Sequence, residues 1–199
     1  MWNSLIRQRR KLLLWVVSGP SGSGKTTLCK KLLGKKGLNL VRSISYTTRP
    51  LRKKEKNNRD YIFVSRAEFS RMIKKGELLE WQETFGNLYG TSKKLVRRSF
   101  AKNKDVLLSI DVKGALVIKR KMPKQAVFIF IIPPSEQHLI KRIKIRAREG
   151  SKEIKKRLKH AKFELKFAKR YDYIVINDTV SKATKELEAI ITAKRLENV

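Results

Sequence analysis

The stretch LLLWVVSGPSGSGKTTLCKKLL, Leu12 to Leu33, decides how the rest of the chain is read. Its first half, Leu12 to Val17, is a short apolar run carrying two valines and a tryptophan, the composition of a strand buried on both faces of a parallel sheet. In the second half the period changes, because Leu28, Leu32 and Leu33 fall on one face of a helix. Between the two halves lies Gly19-Pro-Ser-Gly-Ser-Gly-Lys25-Thr26, with full Walker A spacing.

Each residue of that loop has a physical reason to be there. Gly19, Gly22 and Gly24 allow positive φ, which turns backbone amides inward; with the helix N-terminus that follows, they form a cradle for phosphate oxygens. Lys25 adds a point charge on the β and γ phosphates. Thr26 offers a hydroxyl to magnesium and Thr27 another to a phosphate. The expected nucleotide-binding run is therefore Gly19, Pro20, Ser21, Gly22, Ser23, Gly24, Lys25, Thr26 and Thr27.

Working outward, 199 residues suffice for one substantial core, with room for small inserted lobes but not for a second full domain. A hydrophobic fraction of 41% and clear periodic segments indicate a globular fold. Charge is the unusual quantity: 49 Lys and Arg against 17 Asp and Glu give +32. Such a field draws anionic ligands and promotes loose, salt-sensitive contact with polyanions. The lysines are spread along the chain with no dedicated arm, and the aromatics are not interleaved with them as a stacking platform would need, so no specific nucleic-acid partner is expected. The single cysteine, Cys29, has no internal partner and reads as a packing residue of a reducing, cytoplasmic compartment. Arg7 to Val17 imitates the start of a signal peptide, but its apolar run is too short to span a membrane and leads straight into the loop.

Beyond the first helix, Leu40 to Ile44 reads as a second strand. It is followed by SYTTRPLR (45 to 52), a polar run from Lys53 to Arg59, and DYIFV (60 to 64). Hydroxyls and arginines at a strand end, near a tyrosine, make a second place to hold phosphate. Ser65-Arg-Ala-Glu68 is a capping box opening a helix. LLEWQETFGNLYGTS (78 to 92) then returns to strand composition and carries Glu80. Taken together with the phosphate loop, these separated motifs resemble guanylate kinases in the same order, over about nine tenths of the chain.

The resemblance implies a P-loop NTPase-type α/β fold with a parallel sheet flanked by helices on both faces. It places the core at about 1–43, 95–136 and 167–199, an inserted mixed α/β GMP-binding lobe at about 44–94, and a helical lid at about 137–166. It also implies that Glu80 binds the guanine base, and the chemistry agrees. Guanine presents N1–H and an exocyclic amine side by side to a carboxylate, whereas adenine has an unprotonated N1. By the same likeness Ser45 and Thr91 lie near guanine O6, and Arg49, Arg52, Tyr61 and Tyr89 touch the acceptor phosphate. Thr91 stands where the family more often has serine.

DVLLSID (105 to 111) is a buried strand with a polar end, at the Walker B position. Ser109 replaces the first carboxylate of the family's Asp-Ile-Asp. Two apart on a strand, Ser109 and Asp111 are expected to face the same way. Asp111 is assigned to the acceptor site, which leaves Thr26 as the one metal ligand. KRIKIRAREGSKEIKKRL (141 to 158) resembles the family's lid, whose arginines fall at Arg142, Arg146 and Arg157; the usual Gly-Arg-Gly hinge is Ile145-Arg146-Ala147 here. Asn177, at the end of the last buried strand, matches a position near the adenine of ATP. His138 and His160 have no partner at metal spacing and are expected to face solvent.

The reaction implied is Mg²⁺-dependent transfer of the γ-phosphoryl group of ATP to GMP, or to dGMP, with Lys25, Arg49, Arg142, Arg146 and Arg157 as the catalytic charges. A phosphate acceptor is already ionised at neutral pH and needs no general base, which accords with only two histidines. Two other readings remain: a non-catalytic guanylate-kinase-like binding module, and a P-loop kinase for a different phosphorylated acceptor.

Overall fold

Leu14–Ser18 forms strand β1, which lies at the centre of a parallel five-stranded sheet and is buried throughout. The structure, a computed structural model, describes residues 11–53, 55–146 and 151–197, with the backbone alone for Arg146 and residues 151–153. The other strands of this sheet are β2 (Leu40–Arg42), β7 (Asp105–Ser109), β8 (Ala126–Ile132) and β9 (Tyr173–Ile176), in the order β2-β7-β1-β8-β9. Val16 pairs with Leu108 on one side and Phe128 on the other, both in parallel register.

Strand alternation divides the core into two layers. Trp15 and Val17 pack with Leu28 and Leu32 of α1 (Lys25–Leu33) and with Leu187 and Ile191 of α7 (Val180–Leu196). Leu14 and Val16 point the other way. They pack with Val96 of α3 (Lys93–Ala101) and with Val112, Ala115 and Ile118 of α4 (Val112–Lys121). Helices therefore cover both faces, as a central strand buried along its whole length demands. Cys29 lies in the first layer, 5% exposed, and burial pushes its thiol up to about 11, which suits a packing role.

A second, mixed sheet of four strands occupies residues 46–92, ordered β4-β3-β6-β5. Its strands are β3 (Tyr46–Thr47), β4 (Ile62–Phe63), β5 (Leu78–Thr84) and β6 (Asn87–Ser92), with α2 (Arg66–Lys74) packing Phe69 and Met72 beneath them. The helix starts fall where the capping residues put them. Ser65 Oγ accepts from Glu68 N, and Ser92 Oγ from Leu95 N. Helices α5 (Glu136–Arg146) and α6 (Ser151–Leu165) pack through Leu139, Ile143 and Ala161.

One expectation needs correcting. Strand β7 ends at Ser109, so Asp111 is not on it; Asp111 is the N-cap of α4, with Oδ1 accepting from Gly114 N at 2.9 Å. The physical reason is that a short acceptor side chain ahead of an apolar helical run satisfies an orphan amide, and this ends the strand early. No helix among the described residues is long and apolar enough to cross a membrane.

Candidate active site

The loop between β1 and α1 has the backbone its glycines allow: Gly19, Gly22 and Gly24 all have positive φ, at 143°, 90° and 94°. At Gly24 the need is also steric, because a Cβ there would collide with the Asn177 side-chain amide. Asn177 Nδ2 donates to Ser23 O at 2.7 Å, tying the end of β9 to the loop. The Asn177 side chain is thus buried against the loop, and its Oδ1 has no partner. Lys25 Nζ donates back to Gly19 O and to Pro20 O, so the ammonium lies along the mouth of its own loop. Thr26 and Thr27, at the start of α1, are exposed.

This loop forms one wall of a cavity of about 300 Å³. Ser21, Gly22, Gly24, Lys25 and Thr26 come from the loop side, and Ser109, Ile110 and Asp111 from the end of β7 and the cap of α4. The mixed sheet contributes Ser45, Tyr61, Glu80, Gln82, Thr84, Phe85, Tyr89 and Gly90, and α6 contributes His160 and Glu164.

Glu80 is 4% exposed yet faces the cavity. A bulge between Leu78 and Glu80 interrupts the pairing of β5 with β6, after which Glu80 stands opposite Thr91. The extra residue sends Leu78 into the core beneath the mixed sheet and Leu79 into the main core, and turns Glu80 to the cavity. Thr91 Oγ1 donates to Glu80 Oε1. Burial raises the Glu80 carboxyl to about 7, with the Thr91 hydrogen bond opposing the shift and the nearby Asp111 charge adding to it. Thr91 itself is fully buried and does not line the cavity; its hydroxyl stands behind the Glu80 carboxylate.

Arg49 and Arg52 do not line the cavity. Arg49 Nη2 makes bonds of 2.7 and 2.9 Å to the two oxygens of Glu55, which also accepts from Arg52 N. The guanidinium lies 5.5 Å over the Tyr61 ring, and Tyr61 meets Tyr89 edge-on at 5.9 Å. Arg49 is thereby held behind two tyrosines that do line the site. Arg142, on α5, is half-buried and donates to Asn177 O at 3.3 Å, while the same helix packs Ile143 against Gly22. Arg157 is half-buried on α6. The Arg146 side chain and the hinge residue Ala147 lie outside the described residues.

Several cavity residues escape a reading of motifs. Gln82 and Thr84 follow Glu80 at alternate positions of β5 and share its face, a pattern visible in the sequence once the strand is granted. His160 is not solvent-facing as expected. It is half-buried and lines the cavity, with Nδ1 3.3 Å from Glu164 Oε2. Its spacing from Arg157 and Glu164, three and four residues, is the available signal that they share a helix face. His138 is exposed.

Among the described residues no group of three or more His, Cys, Asp or Glu is gathered for a metal ion. Thr26 is the residue that could offer a magnesium ion a hydroxyl within the cavity.

A protein-family model described as guanylate kinase matches residues 10–194. Guanylate kinase of Caldanaerobacter subterraneus subsp. tengcongensis is 46% identical over 94% of this chain and 90% of that protein. Guanylate kinase of Malacoplasma penetrans is 44% identical over 96% and 97%. The crystal structure of guanylate kinase from Anaplasma phagocytophilum superposes with a TM-score of 0.79 at 34% identity, covering 96% of this chain and 89% of that one.

Proposed function

This chain belongs to the guanylate kinase family, and from that premise we propose how its own residues serve the reaction. The protein is an ATP:GMP phosphotransferase, moving the γ-phosphoryl group of ATP onto GMP to give ADP and GDP. The observation that carries this assignment is Glu80, a buried carboxylate facing the same cavity as the phosphate loop. It can accept the paired N–H donors of guanine, while adenine's N1 would face it with a lone pair.

The loop amides, Lys25 and Thr27 would hold the phosphates of ATP. Lys25 would exchange the carbonyls of Gly19 and Pro20 for phosphate oxygens. Magnesium, held by Thr26 and the nucleotide, would neutralise charge on the transferring group. Residues 44–94 would form the lobe that holds GMP or dGMP, with Ser45 near O6 and Tyr61 and Tyr89 on the acceptor phosphate. Arg49 and Arg52 would reach that phosphate past Glu55. Residues 137–166 would form the lid, bringing Arg142, Arg146 and Arg157 to the transferring group.

The acceptor is already an anion, so the work is to bring two polyanions together and exclude water. Asp111, engaged with Gly114 N and with Thr84 Oγ1 at 3.0 Å, would orient the acceptor side rather than take a proton. Ser109 and the altered lid hinge at Ile145-Arg146-Ala147 favour a non-catalytic module, and the complete phosphate loop opposes it. We assign the enzyme to the cytoplasm and to purine nucleotide metabolism. The test is ADP formation from MgATP with GMP, AMP, CMP and UMP offered separately. GMP alone should support turnover, and equal turnover with AMP would refute the role of Glu80.

A further inference from the structure

The cavity is closed on one side by a contact between two distant pieces of chain. Phe85 sits at the tip of the β5–β6 hairpin, where Phe85 and Gly86 both have positive φ, at 49° and 76°. Its ring lies 5.2 Å from that of His160, tilted at 47°, and Lys156 Nζ lies 5.4 Å over the same ring. Behind His160 stands Glu164, which is 4% exposed, its Oε2 3.3 Å from His160 Nδ1. The imidazole is thus fixed from behind by a buried carboxylate and faces an aromatic ring that is itself 44% exposed.

We propose that His160 is a positioning residue that docks α6 on the acceptor sheet through Phe85, so that closure over the acceptor and presentation of Arg157 are one movement. The inference rests on the reading of this cavity as the GMP site. Its physical basis is the helix repeat. Arg157 precedes His160 by three residues, hence by just under one turn on the same face, so the seating of one fixes the other. Thr84, the neighbour of Phe85, already joins β5 to Asp111, with Thr84 Oγ1 donating to Asp111 Oδ2 at 3.0 Å. The His160–Phe85 contact supplies the matching attachment on the α6 side, completing a frame around the acceptor.

Neither ring needs to touch the reacting atoms for this to affect the rate. A lid helix that is not seated leaves Arg157 spread over many positions, and displacement of a charge by about an ångström is enough to slow transfer. Glu164 serves the same end: a carboxylate paired with the ring prevents His160 from swinging into the cavity or out to water.

The test is a double-mutant cycle on the full-length protein, with MgATP and GMP. His160→Ala and Phe85→Ala should each lower kcat/KM for GMP by about threefold to tenfold, the range for one aromatic contact. The KM for ATP should change by less than about twofold. The double variant should be no worse than either single variant. His160→Phe keeps the ring and should restore most of the loss. His160→Gln keeps a hydrogen bond to Glu164 but no ring, and should not. His138→Ala, at an exposed histidine, serves as the control with unchanged kinetics. Additive losses in the double variant, or wild-type kinetics in His160→Ala, would overturn the proposal. Failure of the unsubstituted protein to use GMP would instead overturn the reading of the site.

Discussion

The carboxylate of Glu80 lies against the bare Cα of Gly114: a Cβ added to that glycine would stand 2.5 Å from Glu80 Oε2 and 3.1 Å from Cδ. The first turn of α4 and the strand β5 that carries Glu80 can approach this closely only because residue 114 has no side chain. Gly114→Ala should therefore push Glu80 off its seat, raising the KM for GMP by about tenfold or more. Alanine is also the better helix former, by about 1 kcal/mol. Thermal unfolding without ligand should show little loss, or a gain, while steady-state kinetics show the acceptor defect. A parallel fall in stability and GMP affinity would contradict the steric account.

The Glu80 carboxyl, raised by burial to about 7, should make acceptor binding depend on pH near neutrality if Glu80 holds the base as we propose. Guanine's two donors require the carboxylate, so below pH 7 a proton must first leave. The KM for GMP should rise as pH falls from 8 to 6, by on the order of tenfold per unit well below 7, with the KM for ATP changing less. Stability runs the other way. A carboxyl raised in the folded state stabilises fully below its unfolded value of 4.5, and that contribution is lost as pH rises through about 7. Glu80→Gln should thus raise the melting temperature more at pH 8 than at pH 5. A pH-independent KM for GMP over this range would be the contrary result.

Lys25 bonds to two carbonyls of its own loop, and we expect those bonds to be exchanged for phosphate oxygens in the working enzyme. Lys25→Ala should lower kcat on the order of a hundredfold or more, as loss of one charge-stabilising donor does elsewhere. Stopped-time assays at saturating ATP and GMP read this directly. Turnover near that of the unsubstituted protein would remove Lys25 from the mechanism.

Away from the site, Asp105 is fully buried at the start of β7. Its oxygens accept from Leu13 N, from Trp15 Nε1 at 3.1 Å, and from Arg195 Nε and Nη2 at 3.0 and 2.7 Å. This ties the closing helix to the central strands. Arg195→Ala removes two of these hydrogen bonds and a largely buried positive charge beside Asp105 and should cost about 3–5 kcal/mol, read from the urea midpoint. The kcat of the folded variant should not move. A shift under 1 kcal/mol would mean the pair is not holding α7.

Much of this fold is legible along the chain because its elements announce themselves locally. The apolar run at Ala126–Ile132 is strand β8 end for end, and Ser65 and Ser92 cap the helices they precede. The phosphate loop is legible for the same reason, since spacing and glycine conformation are short-range properties. What escapes is set by long-range packing. Asp111 looks like a strand residue until its bond to Gly114 N shows it capping a helix. His160 looks like one basic residue among many until α6 folds back against Phe85. Glu55 sits in a polar run, and only the folded loop brings its carboxylate onto Arg49. Pairs of this kind join residues whose separation carries no periodic signal.

We propose that Glu80 chooses the base, and turnover resolved by acceptor reports on that choice. Turnover of MgATP should be compared for the unsubstituted protein and Glu80→Gln with GMP, AMP, CMP and UMP. We expect GMP-only turnover in the first and a loss of about a hundredfold or more in kcat/KM for GMP in the second, because the amide presents one acceptor and a donor that meets guanine's own. Retained GMP turnover in Glu80→Gln, with discrimination against AMP unchanged, would contradict it.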